Sequence, residues 1–166
     1  TGSFRFPSTT ARTHQIVSSL IEKGAQPHSV QQNIYDTAAF TRLRLLGTAL
    51  NNLKKIEGLP VVYITLSQKE LNQNKFKKGD TEGFVNYGLS LQGVLLSVVM
   101  IENESEKIIK MSFRSKGSVD VNQFARKYFN GGGHINAAGG KSDTSIEETV
   151  SHFIKSIETE KNIFNA

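Results

Sequence analysis

Ten consecutive residues restrict this chain more than any others: Gly131-Gly132-Gly133-His134-Ile135-Asn136-Ala137-Ala138-Gly139-Gly140, five glycines and two alanines around one histidine. A run so poor in side chains cannot fill a core by itself. It can let two backbones, or a backbone and a ligand, come into contact, and successive N–H groups in such a bend can form a concavity for an anion. His134 would add a hydrogen bond to the same anion. Taken alone, a triple glycine more often just ends the helix before it. Neither common phosphate motif is present: no Lys-Ser or Lys-Thr follows, and Asn136 stands where a dinucleotide fingerprint has its third glycine.

The chain around it has 166 residues, 37% of them hydrophobic and 21% charged, enough for about one compact domain or one and a half. Helical spacing opens the chain. Thr9 or Thr10 caps a helix with Ile16, Val17, Leu20 and Ile21 inward, Gly24 closes it, and a second helix starts near Pro27. A third carries Phe40, Leu43, Leu46, Leu50 and Leu53 inward and runs to a boundary at Gly58-Leu59-Pro60. Strand patterns follow. Residues 61–66 are β-branched, 67–80 read as a polar, lysine-rich connection, and the run from Val94 to Ile101 is apolar on both faces. Ile109, Met111 and Phe113 alternate in a returning strand. Two helices close the chain, one with Val121, Phe124, Ala125, Tyr128 and Phe129 on a stripe, the other opened by a Thr144–Glu147 capping box. The expected fold is α/β (α+β): a helical piece over residues 1–58, then a mixed sheet covered by helices over 59–166.

Chemistry is sparse. Cysteine is absent, which removes disulfides, thiolate metal sites and cysteine nucleophiles. No His-x-His, Asp-x-Asp or Glu-x-x-His pattern offers metal ligands, and no nucleophile and base stand together. Arg114-Ser115-Lys116, at the end of the returning strand, offers a guanidinium fork suited to phosphate, although a polar strand end is commonly just solvated. The formal charge is +5, but it is uneven. Seven Lys and Arg face three Asp and Glu up to Gly58, and thirteen face twelve beyond it. An anion would therefore be held locally, not by a broad field. No apolar run approaches the roughly 20 residues of a membrane span, and no signal-peptide order opens the chain, so a cytoplasmic placement is expected.

These motifs together resemble the DHH phosphoesterase family. Residues 131–139 match the Gly-Gly-Gly-His-x-x-Ala-Ala-Gly signature of its DHH-associated domain. Arg114-Ser115-Lys116 with Asp120-Val121-Asn122, and Glu82-Gly83-Phe84-Val85-Asn86-Tyr87, resemble segments of the branch holding nanoRNases, pAp phosphatases and exopolyphosphatase-related proteins. The opening Thr1-Gly2-Ser3 resembles the end of the family's catalytic domain. The resemblance implies a substrate-binding half whose manganese ligands lie upstream of Thr1, with no metal and no catalytic residue in this chain. Arg114, Ser115, Gly132, Gly133 and His134 would hold phosphate groups of short RNA or pAp, with Asn136, Ala137 and Ala138 shaping the pocket. The parent would be a phosphodiesterase or phosphatase, while the chain alone would be inactive. Polyphosphate or a cyclic dinucleotide is the alternative substrate, and a non-catalytic nucleotide-binding module the alternative class. No membrane partner is expected, and a homodimer is admitted.

Overall fold

A computed structural model describes residues 2–4 and 8–164; Thr1 and residues 5–7 of the opening motif lie outside the described residues. Contacts divide the chain into two compact units, Thr1–Ala39 and Phe40–Ala166.

In the smaller unit Thr10 caps helix α1 (Ala11–Glu22), its hydroxyl accepting from the Thr13 amide, and Gly24 follows the end at φ 94°. Pro27 opens helix α2 (Pro27–Tyr35). Neither helix buries a residue. The inward set expected for α1 is thus not met: Ile16, Leu20 and Ile21 remain about half exposed. Two short helices enclose too little volume to bury an apolar stripe.

The larger unit begins with helix α3 (Phe40–Asn51), which buries Leu45 and Ala49, whereas Phe40, Leu43 and Leu50 of the expected face are exposed. Strand β1 (Lys54–Lys55) follows at once, and the Gly58–Pro60 break lies between β1 and strand β2 (Val61–Leu66). Residues 67–80, expected to be a loop, contain helix α4 (Gln68–Gln73), and helix α5 (Phe84–Leu89) comes next. Strands β3 (Leu96–Asn103) and β4 (Ile108–Ser115) form the expected hairpin. Then come helix α6 (Val121–Tyr128), strands β5 (Gly132–His134) and β6 (Ala137–Ser142), and helix α7 (Ile146–Thr159).

The six strands make one mixed sheet in the order β1-β2-β3-β4-β6-β5. The β2–β3 pair is parallel, with α4 and α5 in its crossover; the others are antiparallel. Strand alternation sends Tyr63, Met100, Met111 and Phe113 into one core with Phe124, Phe129 and Phe153 from α6 and α7. Ile64, Leu66 and Val99 take the opposite face, into a second core with Leu45, Ala49, Leu71 and Phe84 from α3, α4 and α5. Burial on both faces accounts for the doubly apolar β3. Mixed sheet, covering helices and helical opening are as the residue pattern and the family resemblance implied.

Candidate functional site

The second core stops short of the β4-β6-β5 end of the sheet, where one face lies open. Ala137 pairs with Arg114 on one side and with His134 on the other. Residues directly opposite in antiparallel ladders project to the same face, so Arg114, Ala137 and His134 form one row across three strands. The next row is Ser112, Gly139 and Gly132, and beyond it Lys110 stands opposite Lys141. His134, Ser112, Lys110 and Lys141 are exposed, and Arg114 is half-buried, its Nη1 donating to the Phe113 carbonyl at 2.9 Å. The face is paved with small residues and edged by cations, an arrangement that admits a flat or phosphorylated ligand close to the backbone.

The glycine run is not the bend expected from its composition. Gly132 and Gly133 belong to edge strand β5, folded back on β6 as a hairpin. Glycine is a poor strand former, but β6 is fixed by its long pairing with β4 and draws β5 alongside. The small residues are needed for closeness. A Cβ on Gly131 would stand 2.0 Å from the Gly139 carbonyl oxygen, and one on Gly140 would stand 2.9 Å from Phe129 Cβ.

Other expected site residues are placed elsewhere. Ser115 is one residue beyond Arg114 and so faces the opposite side; it is buried, and its Oγ donates to the Val119 carbonyl at 2.6 Å. Asn136 Nδ2 donates to that Oγ at 3.0 Å and to the Gly117 carbonyl at 3.1 Å. The pair ties the 115–119 turn to the β5–β6 turn. Ala138 lies in the first core, and the Gly133 amide donates to Asn122 Oδ1 at 2.9 Å. The structure therefore brings Arg114, His134, Ala137 and Gly132 together, and does not bring the Ser115, Asn136 and Ala138 side chains to them. Sequence reading missed Arg126 of α6: a Cβ on Gly132 would meet its Cζ at 3.3 Å. Its spacing of four from Asn122 on a helix was the only available signal.

Among the described residues no group of three or more His, Asp or Glu side chains could hold a metal ion. Manganese therefore does not fit the residues described, and no step through it is derived from them. No described helix is long and apolar enough to cross a membrane.

Fold and open face define an α/β domain with an anion-suited surface. The sequence matches the DHHA1 domain over residues 58–161, and the chain belongs to that family, as its motifs implied. It is 32% identical over 142 residues to the bifunctional oligoribonuclease and PAP phosphatase NrnA of Bacillus subtilis, an alignment covering 84% of this chain and 42% of that protein. The Thermus thermophilus protein of the same name is 28% identical over 140 residues, 84% of this chain and 40% of its own length. The crystal structure of an exopolyphosphatase-related protein from Bacteroides fragilis superposes with a TM-score of 0.94 at 36% identity, over 99% of this chain and 48% of that one. The chain thus spans less than half the length of these relatives.

Proposed function

We propose that this chain is the substrate-binding half of a manganese-dependent phosphoesterase that hydrolyses short oligoribonucleotides and pAp. The observation carrying this reading is the single row Arg114–Ala137–His134 on the open face. A guanidinium and an imidazole flanking a methyl-sized floor can grip one phosphate from two sides while the nucleoside lies over Ala137 and Gly139. The names of the Bacillus and Thermus relatives support nucleotide substrates.

On this reading manganese, held by residues outside this chain, would supply an activated water and charge neutralisation at phosphorus when bound. The residues of this chain bind and orient. Arg114 and His134 fix the phosphate, and the small floor sets how close the ligand lies. Holding the substrate from a domain remote from the chemistry lowers the barrier through orientation, so losing a grip residue hurts turnover as well as affinity.

Titrating the chain with pAp, di- and trinucleotides and short polyphosphate tests the reading. Micromolar binding of the nucleotides, lost in Arg114→Ala and His134→Ala, is the expected result; indifference to all of them would defeat it. Tighter binding of polyphosphate would favour the activity suggested by the exopolyphosphatase-related neighbour. The chain alone should show no manganese-stimulated cleavage. In the longer protein that carries the catalytic half, each substitution should lower kcat/KM by about 2–4 kcal/mol of transition-state stabilisation.

A further inference from the structure

Beside the Arg114–His134 row, a second guanidinium reaches the open face from a different element. Gly132 and His134 are two apart on β5, so their side-chain positions project to the same face. The position left empty at Gly132 is covered by Arg126, whose Cζ and Nη2 would both lie 3.3 Å from a Cβ placed there. Its stem is fixed. Arg126 Nε donates to Asn122 Oδ1 at 3.0 Å, and the same oxygen accepts from the Gly133 amide at 2.9 Å. Asn122 thereby fastens α6 to the sheet edge and turns Arg126 over it. Nε is engaged, and the residue as a whole is exposed.

We propose that Arg126 forms a second anion subsite on the open face, about 7 Å along β5 from the row of His134, and that it takes a second phosphate of the same ligand. The domain thereby selects nucleotides carrying two separated phosphates, such as pAp or a 5′-phosphorylated dinucleotide, over a nucleoside monophosphate. Asn122 is a positioning residue for that fork. This inference rests on the proposed function, because it presumes that a first phosphate sits between Arg114 and His134.

The test is calorimetric titration of the chain with pAp and with AMP. Wild type should prefer pAp by about tenfold, the worth of one charge-assisted contact. R126A should bring the two affinities together, and R126K, which keeps the charge without the fork, should retain part of the preference. N122A should narrow the ratio while leaving R126A unchanged when the two are combined, a coupling that a merely structural Asn122 would not show. An unaltered pAp-to-AMP ratio in R126A overturns the inference. Should R126A fail to fold, R126Q reads the same ratio with the stem retained. If wild type binds neither nucleotide, the proposed function itself falls; if R114A abolishes binding while R126A leaves the ratio intact, only the second subsite does.

Discussion

At the scale of single residues, the glycines of the signature do different jobs, and substitution should separate them. A methyl at Gly131 would collide with backbone, the Gly139 carbonyl at 2.0 Å, and backbone cannot step aside. At Gly132 the same methyl meets the end of the Arg126 side chain at 3.3 Å, which needs to give by only a few tenths of an ångström. Gly131→Ala should therefore cost about 1–3 kcal/mol in urea unfolding, the range for overpacked sites, and Gly132→Ala clearly less; equal costs would mean that the hairpin is not held by close approach. The need for small residues was legible in the sequence, while the strand was not. Gly-rich segments read as bends because the pairing that straightens this one comes from β4, far away in sequence. Parity hid Ser115 in the same way. Adjacent to Arg114 in the chain, it is on the other face of the strand, and only the direction of burial reveals it. Asn136→Ala should accordingly lower stability by about 1–3 kcal/mol through the loss of its two bonds to Ser115 and Gly117, with ligand affinity changed less than in H134A. A thermal scan alongside the titration checks both.

Elements with a strong apolar period, such as β4 and α6, were readable, whereas short ones held by caps were not. Helix α4 buries only Leu71 and is defined by Ser67 and Glu70, whose hydroxyl and carboxylate satisfy each other's backbone amides. Lysines around it masked that signature. At α7 the box is Ser145–Glu148, one residue later than the Thr144–Glu147 pair expected, because the Thr144 hydroxyl lies 3.3 Å from Thr149 Oγ1 and faces inward. In α4, partial burial pushes the Glu70 carboxyl up, but hydrogen bonds from Asn52 Nδ2 and from the Ser67 amide and hydroxyl outweigh it and hold the group below the usual glutamate value. A depressed folded value stabilises the ionised form. That contribution is complete above the ordinary glutamate pKa of about 4.3 and is lost as pH falls through the lower folded value. Urea midpoints measured from neutral pH downward should drop in this window, and Glu70→Gln should flatten that part of the drop. Solvent around the half-exposed cap keeps the effect small, so an unchanged pH profile in the variant would assign acid sensitivity to other carboxylates.

For the whole molecule, the mixed sheet brings together what the sequence scatters. Arg114, Arg126 and His134 come from β4, α6 and β5 and are carried to the same end of the sheet because β6 pairs with both β4 and β5. Motif order gave the family, but the meeting point depends on strand order, which composition does not encode. The charge distribution makes the same distinction between a local grip and a field. Lys and Arg outnumber Asp and Glu by only one after Leu59, thirteen to twelve, although the whole chain is +5. A surface evolved for long polyanions would spread many cations along the ligand and lose affinity steeply with salt, whereas two guanidinium groups release few counterions. For a single-stranded ligand each phosphate contact contributes about −0.7 to the slope of log K against log salt, so two contacts give roughly −1.4. Titrating pAp and a trinucleotide between about 50 and 200 mM salt should give slopes near that value for both, because the extra nucleotide adds little charge contact. Arg126→Ala should make the slope shallower by about 0.7, and Arg114→Ala by a similar amount. A slope that steepens with each added nucleotide would show instead that the lysines of the far row, Lys110 and Lys141, also take phosphates, and the face would then work as a track for longer RNA.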